Sequence, residues 1–197
     1  MTRVGVFGGS FDPVHKAHVA LARSALGALH LDQVRWVPAG NPWQKTRAMT
    51  PAEDRLALVQ AAIEGEPRFV LDRIEVDRSG PSYTLDTLRE LQAAHAGVQW
   101  VLLIGQDQYS GLHTWKDWQA LLGLVELAVA NRPGDLRQPH PDVQRFPHRM
   151  VPLPMLDISS TDIRTRVAAG LDISHLVPPG VARYIETHGL YRSPVRS

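Results

Sequence analysis

Two histidines, His15 and His18, stand three residues apart just after a glycine pair, in the run GGSFDPVHKAH that spans Gly8, Gly9, Ser10, Phe11 and onward to His18. Asp12 can cap a helix and Pro13 suits its first position, so both imidazoles fall on one face of the first turn and point toward the glycine loop. Backbone amides, the positive end of the helix dipole and two ring donors together suit phosphate oxygens. The chemistry this set supports is the gripping and neutralisation of a polyphosphate. A lone histidine here would read as a surface helix residue. A pair could also hold zinc, but no cysteine or nearby carboxylate supplies a third ligand. The sequences G-x-x-x-x-G-K-[ST] and G-x-G-x-x-G are both absent, which argues against a P-loop NTPase and a dinucleotide dehydrogenase.

A second cluster lies far along the chain in ISSTDIR, Ile158 to Arg164. Ser159, Ser160 and Thr161 offer hydroxyls and amides at a helix start, and Arg164, one turn on, offers a bidentate cation to phosphate. Alone, the segment equals a serine cap followed by a solvated arginine. Paired with the histidine segment, it reads as a second hand on the same anion.

The elements that must position these groups alternate in type. Val4, Val6 and Phe7 form a short buried strand closed by Gly8 and Gly9, and Val14 to Leu29 carries apolar residues at helical spacing. A strand from Gln33 to Val37 runs into a Pro, Gly and Asn loop, after which Thr50, Pro51 and Glu53 suggest a capping box opening a helix to about Ile63. Phe69 to Val76 reads as extended, Tyr83 to Ala94 as helix, Gln99 to Ile104 as a buried strand and Glu126 to Ala130 as another. Arg132 to Pro154, rich in Pro, Arg and His, reads as an irregular surface connection. A helix opens at Ser159 or Ser160, and a last one from about Pro179 to His188 ends at Gly189 as a left-handed cap. The β-then-α rhythm predicts an α/β fold, a Rossmann-like, doubly wound and mostly parallel sheet with helices on both faces. Ligands in such folds sit beyond the carboxyl ends of the strands, which is where the glycine loop falls. Gly105 and Asp107 follow the strand ending at Ile104, where a glycine permits close approach and a carboxylate can accept ribose hydroxyls.

With 197 residues and 44% hydrophobic content the chain can bury a proper core, and the length predicts one domain. Twenty-one basic residues against 20 acidic ones give a net charge of +1, so there is no global field of the kind that draws proteins to nucleic acid or anionic membranes. The absence of cysteine excludes disulfides, thiolate nucleophiles and cysteine-held metals. No signal-like start and no apolar segment of spanning length are seen, so a cytoplasmic protein is expected.

GGSFDPVHKAH resembles the phosphate-binding motif G-x-F-D-P-x-H-x-G-H of the nucleotidylyltransferase superfamily, and ISSTDIR resembles its I-S-S-T-x-I-R element. Ala17 departs from the glycine common at that position, placing a methyl group where a nucleotide is expected to approach. The further segments VPAGNPWQK, PSYTLDTL, IGQDQYSGLHTW, NRPG and HGLY resemble the bacterial nicotinate mononucleotide adenylyltransferases over nearly the full length. Trp43 and Gln44 stand in the first of these where relatives often carry proline and histidine.

The resemblance implies a single nucleotidyltransferase domain over 1–197, with a small helical part from about 155. It implies that Trp115 stacks on a pyridine ring while Tyr83, Thr84 and the backbone around Leu85 and Lys116 bind the ring's carboxylate. It adds Lys45 and Arg132 as phosphate cations and agrees with ATP contacts at Gly105 and Asp107. The implied reaction is in-line attack by the 5′-phosphate of nicotinate mononucleotide on the α-phosphorus of ATP, in NAD biosynthesis. His15, His18, Lys45 and Arg164 would neutralise developing charge, and Mg²⁺ would come with ATP rather than at a dedicated protein site. The expected partners are ATP and nicotinate mononucleotide, with neither nucleic acid nor membrane, and a homo-oligomer is compatible with the chain. The alternatives are an adenylyltransferase for nicotinamide mononucleotide or phosphopantetheine, and a nucleotide sensor without turnover.

Overall fold

The computed structural model describes residues 1–41, 48–131, 134, 137–154 and 156–192. Apolar, β-rich runs form β1 (Arg3–Gly9), β2 (Gln33–Pro38), β3 (Phe69–Leu71), β4 (Gln99–Gly105), β5 (Glu126–Asn131) and β6 (His148–Pro152). They build one parallel sheet in the order β3-β2-β1-β4-β5-β6. The first strand therefore lies in the middle, and the chain winds outward on one side before returning to the other. That reversal between β1 and β4 opens a crevice at the strands' carboxyl ends.

Helices cover both faces, as the β-α rhythm predicts. On one face α1 (Lys16–Ala28), α2 (Ala52–Ile63), α8 (Ser160–Ala168) and α9 (Pro179–His188) pack over Phe7, Val101 and Leu103. On the other, α4 (Thr84–Ala94), α5 (Gln106–Ser110), α6 (Trp118–Leu122) and α7 (Pro141–Gln144) cover Val4, Val6, Leu102 and Ile104. The period-2 alternation of side chains along a strand splits neighbouring residues between the two cores. A short α3 (Ile74–Asp77) and a 3-10 turn, Leu112–Thr114, complete the described elements.

Four local expectations are corrected. Helix α1 begins at Lys16 with His15 as its N-cap, because the Asp12 carboxylate is committed elsewhere, to the Tyr191 hydroxyl and the Thr50 amide. The Thr50–Glu53 capping box does not form: Pro51 is the N-cap, and Glu53 instead pairs with Arg73 at 2.8 and 3.1 Å. The extended run ends early at Leu71, since Asp72 accepts the Ile74 amide at 3.0 Å and turns the chain into α3. Finally, the stretch expected to be irregular contains α7 and the edge strand β6. Its signal is weak because an edge strand is solvated, with Met150 48% exposed. The left-handed cap at Gly189 is present, with φ 60°.

Candidate active site

A cavity of about 720 Å³ opens at the carboxyl ends of the central strands, with Gly8 and Gly9 of β1 and Gly105 of β4 in its floor. Every expected site residue within the described part of the chain lines it. Lys45, Arg132, Trp43 and Gln44 lie outside the described residues. The two motifs, some 150 residues apart in sequence, thus meet at one place: the Ser160 hydroxyl donates to the Pro13 carbonyl at 2.9 Å, and Arg164 donates to the Asp12 carbonyl at 2.8 Å.

One half of the cavity is built on the turn between β1 and α1. The rings of His15 and His18 stack with centroids 3.7 Å apart. The His15 backbone N–H donates to Nδ1 of His18 at 3.1 Å, which makes Nδ1 the acceptor and leaves the proton of a neutral ring on Nε2. His18 is therefore set as an N–H donor, with the edge of Phe11 against its face at 5.2 Å. Phe11 is buried and in the left-handed region at φ 48°. Its ring leaves no room at Gly9, where a Cβ would come within 3.1 Å of it. Ala17 lines the same cavity, so its extra methyl group does sit at the nucleotide-sized space.

The hydroxyls of the second motif also brace the fold. Ser159 Oγ accepts the Asp162 amide at 3.1 Å and caps α8, Ser160 braces Pro13, and Thr161 Oγ1 accepts from Arg164 at 3.1 Å. This segment offers an anion the N-terminus of a nine-residue helix, the Arg164 guanidinium, and the Ser159 and Thr161 hydroxyls, which accept in these bonds and keep a proton to donate.

The opposite wall starts α4. Tyr83 is its N-cap, so the first-turn amides of Thr84 and Leu85 have no acceptor within the helix. Trp115 ends the 3-10 turn and lies half-buried in the cavity wall. Lys116 Nζ sits 4.5 Å from the Tyr83 ring centroid and 3.5 Å from Asp86. An aromatic plate, two helix-start amides and an ammonium suit a flat ring carrying a carboxylate. Between the halves, Asp107 follows β4, and a Cβ on Gly105 would meet its carboxylate at 2.8 Å.

Several supporting residues escaped sequence reasoning. Arg55, buried on α2, donates to the carbonyls of Ser10 at 3.0 Å and Thr50 at 3.0 Å, holding the loop after β1 from behind. The one hint is an arginine inside an apolar helix stripe. Tyr191, in the closing HGLY, donates to Asp12 at 2.6 Å, and burial with that carboxylate pushes its phenol far up. Glu75 is a buried carboxyl in the cavity wall, raised by desolvation. Among the described residues no group of three His, Asp or Glu side chains could hold a metal ion, and no helix is long and apolar enough to cross a membrane.

Residues 6–166 match the cytidylyltransferase-like family. A probable nicotinate-nucleotide adenylyltransferase of Methylibium petroleiphilum is 46% identical over 98% of this chain and 93% of its own length. A relative of the same name from Bordetella petrii is 46% identical over 98% of this chain and 100% of its own. Among solved structures, Plasmodium falciparum nicotinic acid mononucleotide adenylyltransferase complexed with NaAD superposes with a TM-score of 0.79. It covers 97% of this chain and 98% of its own at 20% identity, a likeness of fold.

Proposed function

The chain belongs to the nicotinate-nucleotide adenylyltransferases of the cytidylyltransferase-like family, and from that premise we propose that it moves the AMP unit of ATP onto nicotinate mononucleotide, giving nicotinate adenine dinucleotide and pyrophosphate. The observation that carries this reading is the joining of two unlike half-sites in one cavity. His18, the glycine floor and Arg164 suit a triphosphate, while Trp115 and the Thr84 and Leu85 amides suit an aromatic acid.

A 5′-phosphate oxygen of the acceptor attacks the α-phosphorus of ATP, and the bond from that phosphorus to the β-bridging oxygen breaks as pyrophosphate leaves. No protein nucleophile takes part. Alignment and charge neutralisation carry such a transfer. His18 Nε2 and Arg164 donate to phosphate oxygens whose charge grows in the transition state, and Gly8 and Gly9 allow the backbone to approach them. Lys45 and Arg132 would add cations on the same polyphosphate. Asp107 accepts a ribose hydroxyl. Mg²⁺ carried in with ATP would supply charge neutralisation for the pyrophosphate.

The acid is favoured over the amide as acceptor. A helix start beside Lys116 rewards a negative substituent, and a carboxamide gains less from the same amides. The test is pyrophosphate release from ATP and Mg²⁺ with nicotinate mononucleotide, its amide and phosphopantetheine in turn. Release with the acid foremost is expected. Activity with phosphopantetheine alone overturns the substrate, and release with none of the three favours a sensor.

A further inference from the structure

We infer that Glu75 is a positioning residue for acceptor binding, clamping the start of α4 to the loop after β2 so that the Thr84 and Leu85 amides stay turned into the cavity. This rests on the reading of that wall as the nicotinate site.

Glu75 is 8% exposed and lines the cavity, yet it belongs to neither half-site. Its Oε1 accepts the Thr87 hydroxyl at 2.7 Å, and that hydroxyl also lies 3.3 Å from the carbonyl of Tyr83, the N-cap of α4. Thr87 closes the first turn of α4, so the carboxyl holds the turn that supplies the Thr84 and Leu85 amides. The Ser82 Oγ accepts the amides of Gly40 at 3.1 Å and Asn41 at 3.0 Å, and the Ser82 amide donates to the Asn41 carbonyl at 2.9 Å. The loop after β2 is therefore fastened to Ser82, the residue before the Tyr83 cap, while Glu75 holds the same turn from Thr87. No slack exists on the remaining side: a Cβ on Gly40 would collide with the Glu75 carbonyl, so loop and α3 pack backbone to backbone. Thr87 is itself held, receiving a hydrogen bond from Arg78 at 3.0 Å.

The clamp works through accepted hydrogen bonds rather than negative charge. The Thr87 hydroxyl donates to the carboxyl, and Arg78 reaches it through Thr87. Burial pushes Glu75 up toward its neutral form, which keeps an added negative charge away from an acceptor carrying a carboxylate and a phosphate.

The experiment is steady-state kinetics on the full chain, varying nicotinate mononucleotide and ATP separately, for Glu75→Ala, Glu75→Gln, Thr87→Val and the Glu75→Ala/Thr87→Val pair. Glu75→Ala should raise KM for the pyridine nucleotide about tenfold with KM for ATP little changed, the scale of a lost buried hydrogen bond. Glu75→Gln should restore most of the loss, since its amide oxygen accepts the same proton. Thr87→Val should show the same one-sided rise, and the double variant should be no worse than Glu75→Ala alone. Equal rises in both KM values, a Glu75→Gln as damaged as Glu75→Ala, or additive losses in the pair overturn the inference. If Glu75→Ala does not fold, an unchanged acceptor KM in Thr87→Val overturns it. Failure of the underlying reading is distinguishable, because the unaltered protein would then release no pyrophosphate with nicotinate mononucleotide.

Discussion

The Tyr191 hydroxyl donates to the Asp12 carboxylate at 2.6 Å, joining the described end of the chain to the loop that follows its first strand. Asp12 is fully buried, takes the Thr50 amide at 3.3 Å on its other oxygen, and gives its own carbonyl to Arg164. Four segments thus meet on one residue beside the phosphate-facing turn. Because the phenol is pushed far up, it remains a donor across the whole working pH range. Tyr191→Phe leaves a buried carboxylate with one donor fewer, at a cost of roughly 1–3 kcal/mol. Urea unfolding should show that loss, together with a lower kcat/KM for ATP. Unchanged unfolding would mean the contact carries no weight in solution.

His18 is set as an Nε2 donor by the hydrogen bond its Nδ1 accepts. His18→Ala should lower kcat by on the order of 100-fold, the usual loss for one transition-state donor, with the fold intact by circular dichroism. His18→Gln, whose amide N–H can stand near the Nε2 position, should retain more activity than the alanine variant. Near-normal turnover in His18→Ala would remove the residue from the chemistry.

Trp115 lines the cavity together with the first residues of α4. Truncation to alanine removes a ring face and should raise KM for nicotinate mononucleotide by about tenfold, while ATP binding measured by calorimetry stays close to that of the parent. Loss of both affinities together would show that Trp115 serves the core.

Glu75 gives a pH signature in stability that is separate from its kinetic test. Its value in the folded chain lies above the ordinary 4.5, so the stability it contributes is fully present below 4.5 and is lost as pH rises through the raised value. Glu75→Gln cannot ionise. Thermal unfolding should therefore find the variant gaining on the parent as pH climbs from acid toward neutral. A gap of constant size across that range would contradict the burial argument.

Much of this arrangement was legible in the sequence because it depends on local signals. The glycine turn before His15 and His18, the serine start before Arg164 and the β-α rhythm are each written within a dozen residues, and each is found where expected. What escaped depends on partners distant in the chain. Asp12 reads as a helix cap until Tyr191 claims it, and nothing near Ser160 announces that its hydroxyl donates to the Pro13 carbonyl. Glu75 carries no pattern of its own, because its burial comes from Gly40, Ser82 and Thr87 packing around it. Strand β6 was hidden by its place at the sheet edge, where one side needs no apolar residues.

Transfer of the AMP unit itself is tested most directly by following ATP labelled at the α-phosphorus in the presence of Mg²⁺ and nicotinate mononucleotide. The label should appear in nicotinate adenine dinucleotide, with one unlabelled pyrophosphate released per product and none of the label bound to the protein. Label recovered as free AMP, as ADP or as an adenylylated protein would contradict direct transfer between the two half-sites.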